Sequence, residues 1–194
     1  MKAALPLVLL LIGTAHAADP ALPYRASLMR EAQAVYGVGA AIPLFAGQIR
    51  QESNWNPQAT AWDGGRGLAQ FMDSTAATIA ARYPELGAAD PYDPRWAIRA
   101  LVRYDGWLYD RVRGVPTCQR WAATLKGYNA GLGYVQRAQA RSPHPNQWFG
   151  VTEWLNVGQS AQNFRTSRAY PRQILFTHQL RYLSWGERTC GASP

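Results

Sequence analysis

Glu52 lies in the run Gln48-Ile49-Arg50-Gln51-Glu52-Ser53-Asn54, and Phe45, Ile49 and Glu52 fall at i, i+4 and i+7. A helix through them carries the carboxyl on its apolar stripe. A carboxylate there is costly unless it is hydrogen-bonded, paired or protonated. Burial disfavours the charged form and raises the pKa, which suits a general acid. The competing reading is a structural acid paired with an arginine, so the surrounding residues must decide. Tyr128 is at i+7 from Trp121 and i+3 from Leu125, on the inward stripe of another helix, where its hydroxyl needs a partner. Two further acids compete for a role. Asp63, just before Gly64, is either a turn residue or a second cleft acid. Asp105, on an apolar stripe, is expected to pair with an arginine.

After Glu52 the chain reads Ser53-Asn54-Trp55-Asn56-Pro57, then Gly64-Gly65-Arg66-Gly67-Leu68-Ala69-Gln70-Phe71-Met72. Farther on come Gly127-Tyr128-Asn129-Ala130-Gly131 and Arg168-Ala169-Tyr170-Pro171. The series resembles the lytic transglycosylases of the soluble, goose-lysozyme-like (SLT) type. In that family a Glu-Ser pair closes the catalytic helix, and a Gly-Leu-Met-Gln turn comes next. Tyr-Asn-Ala-Gly and a late tyrosine complete the pattern. The likeness runs from about residue 40 to residue 176, and four motifs in order make it specific.

The resemblance implies a peptidoglycan lytic transglycosylase that uses one glutamate twice and needs no cofactor. Glu52 would first protonate the β-1,4 glycosidic oxygen between N-acetylmuramic acid and N-acetylglucosamine. It would then take the proton from the muramoyl C6 hydroxyl, which closes a 1,6-anhydro ring. Tyr128 and Tyr170 would stand beside Glu52, and the partner of the Tyr128 hydroxyl would be the catalytic carboxyl or the sugar near it. Ser53 and Gln70 would edge the cleft near the muramoyl ring. Asn129 is counted with the substrate-binding residues, although its expected part is chiefly to hold backbone geometry. Trp55 and Trp62, beside the catalytic loop, are the candidate sugar platforms.

Four departures stand out. Ala69 replaces a usual Met, Gly127 a common Ala, and Asp73 a usual proline. Thr166 stands where many relatives carry a Glu. None removes the proton-transfer group. Two other classes remain: a goose-type lysozyme in which Asp63 orients a water, and a non-catalytic wall-binding module.

The chain has 194 residues, enough for one domain with a sizeable core. Lys2, the apolar run Leu5 to Ile12 and the Ala15-His16-Ala17 cleavage pattern form a secretory signal. Export is therefore expected, with a signal peptide over 1–17 and a lysozyme-like domain over 18–194. Pro6 and the short apolar run argue against a stable membrane span. The net charge of +8, mostly arginine, suits attraction to an anionic polymer. Peptidoglycan glycan strands are the expected partner, and the signal weighs against nucleic acid. A monomer is expected. Cys118 and Cys190 suit a disulfide in an oxidising compartment, with two separate buried thiols as the alternative. No Cys/His spacing suggests a metal.

The elements that must position these residues read as helices throughout. The spacing predicts helices over 24–36, 40–53, about 73–82, 94–113, 119–129 and 133–140. Asp73-Ser74-Thr75 offers a cap and Gly131 a stop. Residues 141–166 read as a loop with little regular structure. Tyr170 and Pro171 then open a final helix reaching about Leu183. The expected architecture is a single all-α, lysozyme-like helical domain with irregular loops around a saccharide-binding cleft.

Overall fold

The computed structural model describes residues 19–191. The expected signal segment over 1–17 lies outside them. Seven α-helices run through the described residues: α1 (Arg25–Tyr36), α2 (Ile42–Ser53), α3 (Asp73–Arg82), α4 (Pro94–Tyr109), α5 (Thr117–Ala130), α6 (Leu132–Arg141) and α7 (Ala161–Gln173). A π-helical turn, Ile174–His178, and a kinked 3₁₀ segment, Gln179–Trp185, come after them. No β-strand occurs among the described residues, only the isolated bridges Thr60 to Arg66 and Arg66 to Phe71. No helix there is long and apolar enough to cross a membrane.

Each helix has a local cause. In α4, Pro94 occupies the first turn and the Asp93 side chain accepts from Arg95 N at 2.9 Å, satisfying an orphan donor. Its apolar stripe buries Ile98, Leu101, Val102 and Leu108. α5 buries Trp121 through Gly127, and the chain leaves it at Gly131 with φ 96°. α3 departs slightly from expectation. Met72 holds the cap position without a side-chain bond, while Asp73 pairs with Arg66 at 3.0 Å.

α2 lies at the centre, with α1 on one side and residues 174–185 on another. Residues Ile42 through Ile49 of it are buried. The approach of the C-terminal segment depends on Gly47, because a Cβ there would stand 2.7 Å from Gln179 N. α5 packs against α4, α6 and α7. Cys118 and Cys190 are bonded, tying the first turn of α5 to the tail across 72 positions of sequence.

The stretch 141–166 is more ordered than its composition suggested. A 3₁₀ turn forms at Thr152–Trp154, and α7 begins at Ala161 with Ser160 Oγ accepting from Asn163 N at 3.2 Å. Buried Glu153 holds this segment to α7: its Oε1 accepts from Arg172 Nη2 at 2.7 Å and from Gly150 N at 2.7 Å. Tyr170 and Pro171 therefore sit inside the last turn of a helix rather than opening one. Pro171 lacks an N–H, and the π-helical turn begins three residues later.

Candidate active site

α2 ends where Asn54 (φ 50°) and Trp55 (φ 66°) are both left-handed, a costly conformation for residues with a Cβ. The turn sends Trp55 into the core. It is 2% exposed, stacks on Tyr24 with centroids 5.8 Å apart, and donates from Nε1 to Tyr182 Oη at 2.7 Å. Trp55 is therefore not a sugar platform, contrary to expectation, and its ring instead anchors the end of the helix. Ser53 is also structural in its bonds. Its hydroxyl meets the Leu68 carbonyl at 2.9 Å and the Ile49 carbonyl at 3.4 Å, fastening the loop to α2.

The loop folds back on itself through Ala61 N to Gly65 O at 2.8 Å and Gly67 N to Ala59 O at 2.8 Å. Gly67 (φ 69°) is required, because a Cβ would come within 1.7 Å of Pro91 O. Gln70 (φ 51°) donates from Nε2 to Gly67 O at 2.8 Å and to Ala59 O at 3.3 Å. Its side chain locks the loop and also lines the cleft.

That cleft is a cavity of about 680 Å³, lined among others by Glu52, Trp62, Asp63, Gln70, Tyr128 and Asn129. Glu52, Tyr128, Gln70, Asn129 and Trp62 thus line one cavity. Trp62 is 99% exposed at the rim. Ser53 and Trp55 do not line the cavity.

Tyr170 comes from α7 and its hydroxyl donates to Glu52 Oε1. Burial pushes the Glu52 carboxyl up to about 8 from an ordinary 4.5. The Tyr170 bond pulls the other way, and the charge of Asp63 adds to the rise. Burial, together with the Glu52 charge, holds the Tyr170 hydroxyl well above the usual phenol range, so it stays a donor. Tyr128 differs from expectation. Its hydroxyl donates to Ala69 O at 2.7 Å rather than to the carboxyl, and its ring packs on Phe71 and Tyr104. It forms part of the cavity wall and fastens the loop at Ala69 to α5.

Asp63 lines the same cavity, exposed, with Oδ1 accepting from Gly65 N at 3.3 Å. Both sequence readings of this residue, turn and cleft acid, meet at one position. Asp105 is a correction: it is wholly buried and has no arginine partner among the described residues. Gln48 Nε2 reaches its Oδ1 at 3.5 Å, while Asp105 Oδ2 and Gln48 Oε1 have no partner among those residues. Burial first, and the Glu52 charge, hold the Asp105 carboxyl well above the usual range. A protonated Oδ2 can donate to Gln48 Oε1, which satisfies both orphans as an acid–amide pair. Gln48, one turn before Glu52, was not singled out from sequence; a glutamine on an apolar stripe at i−4 was the available signal.

The arrangement offers one neutral, hydrogen-bonded acid at the wall of a sugar-sized cavity with an indole at its rim. Such an acid can protonate a leaving oxygen and later act as base. Among the described residues, no group of three or more His, Cys, Asp or Glu stands where it could share a metal ion.

Comparison with known proteins gives a family match and a fold match. Residues 28–149 match the family model described as the transglycosylase SLT domain. Membrane-bound lytic murein transglycosylase F of Yersinia enterocolitica is 33% identical over 129 residues, which cover 66% of this chain and 25% of that protein. The same-named protein of Shewanella halifaxensis is 30% identical over 129 residues, covering 64% of this chain and 26% of that one. The chain thus spans about a quarter of the length of these relatives. The solved lytic transglycosylase Slt of Pseudomonas aeruginosa matches with a TM-score of 0.65 at 21% identity, over 88% of this chain and 26% of that one. That likeness shows the expected all-α, lysozyme-like fold.

Proposed function

This chain belongs to the SLT transglycosylase family, and from that premise we propose that it is a peptidoglycan lytic transglycosylase. It cleaves the β-1,4 bond between N-acetylmuramic acid and N-acetylglucosamine and leaves a 1,6-anhydromuramoyl end. The observation that carries the reading is Glu52, held neutral by burial at the cavity wall and hydrogen-bonded by Tyr170.

In the first step the Glu52 proton passes to the glycosidic oxygen as the C1–O bond breaks, leaving an oxocarbenium-like C1. The Glu52 carboxylate then takes the proton of the muramoyl C6 hydroxyl, whose oxygen bonds to C1. No water is consumed, and Glu52 ends as it began. Tyr170 holds the carboxyl in one orientation and steadies its charge between the two steps. Gln70, Asn129 and Trp62 line the path of the sugar, with Trp62 as the stacking surface. Ser53 and Tyr128 support the loop and wall.

Hydrolysis is the second reading, and its support is that Asp63 lines the same cavity. Against it, Asp63 is exposed and one of its oxygens already serves the Gly65 turn. The proposal includes export to the compartment that holds peptidoglycan, and action as a monomer.

Clearing of a peptidoglycan suspension against pH tests the proposal. Glu52 must carry its proton to start the reaction, so activity should persist below about pH 8 and fall roughly tenfold per unit above it. An alkaline limb near the ordinary 4.5 of an exposed glutamate would contradict it. Tyr170→Phe removes a bond that lowers the Glu52 pKa. The variant should lose about tenfold to a hundredfold in kcat, and its alkaline limb should move to higher pH. An unchanged limb would mean that Tyr170 does not act on the carboxyl.

A further inference from the structure

Gln48 of α2 and Asp105 of α4 are both wholly buried, and each keeps one oxygen without a partner among the described residues. These are Gln48 Oε1 and Asp105 Oδ2. The bond between the two side chains, from Gln48 Nε2 to Asp105 Oδ1, is long at 3.5 Å. It is nevertheless the one hydrogen bond that joins α2 to α4 among the described residues. Each end of it sits beside a wall of the cleft. Gln48 is one turn before Glu52 on α2. Asp105 follows Tyr104, whose ring lines the cavity and packs on Tyr128 with centroids 5.5 Å apart.

A single proton accounts for both orphaned oxygens. An ionised Asp105 could only accept, and it could not satisfy Gln48 Oε1. A protonated Asp105 donates from Oδ2 to Gln48 Oε1 while its Oδ1 accepts from Gln48 Nε2, so both oxygens are bonded. The ionisable groups that face Asp105 are Glu52 on α2, Tyr36 on α1, Tyr104 on α4, Tyr128 on α5 and Tyr170 on α7. None of these is a cation, so a charge on Asp105 would be buried and uncompensated by them, which is costly. In the proposed reaction Glu52 becomes a carboxylate between its two proton transfers. A second negative charge in the same apolar region would oppose that step, whereas a neutral acid does not.

We propose that Gln48 and Asp105 form a proton-locked acid–amide pair that positions Glu52 and leaves it the sole carboxyl of the site to exchange a proton during the reaction. The catalytic part of this role rests on the transglycosylase reading; the proton on Asp105 does not. Neither side chain lines the cavity. Both are positioning residues, acting through the backbone of α2 and the ring of Tyr104.

The infrared spectrum of the folded protein tests the proton without relying on cleavage. Above about pH 8 Glu52 has ionised, and its charge gives Asp105 further reason to stay neutral. One carbonyl band of a protonated carboxyl should therefore remain there, and Asp105→Asn should abolish it. No such band, or a band that survives the substitution, would overturn the proposal. Clearing kinetics recorded well below melting test the positioning. Asp105→Leu leaves Gln48 unbonded and should lose about tenfold in kcat with KM unchanged. An unchanged kcat would overturn the positioning role. Asp105→Asn supplies a neutral hydrogen-bonding side chain and should recover most of that loss. Its alkaline limb should stay near 8, because no charge has been removed. A limb moved to lower pH would mean that Asp105 is ionised in the wild type, and would overturn the pair. Gln48→Leu combined with Asp105→Leu should melt above either single variant, since together they leave no orphan. Additive losses would show that the two residues do not pair. If the wild type clears no peptidoglycan, the transglycosylase reading fails, while the infrared band still decides whether Asp105 holds the proton.

Discussion

Peptidoglycan clearing by the Glu52→Gln variant is expected to fall by about a thousandfold or more, while binding to the wall persists. Glutamine keeps the size and most of the hydrogen bonding of the neutral acid, yet has no proton to give to the glycosidic oxygen. General acid–base catalysis is worth about a hundredfold to ten-thousandfold per group, and the proposed chemistry draws on one group twice. The same variant has a stability signature. An ordinary value of 4.5 applies in the unfolded chain, against about 8 in the folded one. Below pH 4.5 both states are protonated and the group contributes no penalty. As pH rises towards 8 the unfolded chain ionises and the folded one does not, so the wild type loses stability, and above 8 the loss is constant. The substituted amide does not titrate, so denaturation midpoints should show the variant gaining on the wild type between pH 4.5 and 8. Retained clearing would remove Glu52 from the mechanism, and a flat difference would remove its raised pKa.

Loss of the Cys118–Cys190 bond should be nearly as consequential for the fold. Opening a loop spanning 72 positions frees the unfolded chain, and the chain-entropy model puts the cost at about 4 kcal/mol. For a domain of this size that corresponds to a melting temperature lower by roughly 10 °C. The bond fastens the tail beyond residue 185 to α5, and the preceding turns pack on α2, which carries Glu52. The double Ser variant should therefore melt early, yet retain activity well below its transition. A shift corresponding to less than about 1 kcal/mol would show that packing of Trp185 and Tyr182 holds the tail by itself.

Most of the helices were legible in the sequence because periodicity and punctuation agreed. Pro43, Pro94 and Gly131 sit where α2 and α4 begin and α5 ends, and each has a backbone reason to be there. α7 was missed at its start for a physical reason. Ala161-Gln162-Asn163-Phe164-Arg165-Thr166 has little apolar signal, and Pro171 reads as a helix opener although it lies in the last turn. Ser160 as a cap was the overlooked cue.

The site was legible as a set of residues and less so as a set of contacts. Glu52 and Tyr170, far apart in sequence, meet through a hydrogen bond. Trp55 turned inward because two successive left-handed residues reversed the chain, a conformation that Asn54 alone hinted at. Tyr128 chose a backbone carbonyl, and Asp105 a glutamine, because burial favours whichever partner the packing brings near.

The central claim is tested most directly by mass spectrometry of purified peptidoglycan digested with the protein. The account predicts muropeptides ending in 1,6-anhydromuramic acid, each lighter by one water than a reducing-end product. Reducing-end products would contradict it, identify water as the nucleophile, and make Asp63 the next residue to replace.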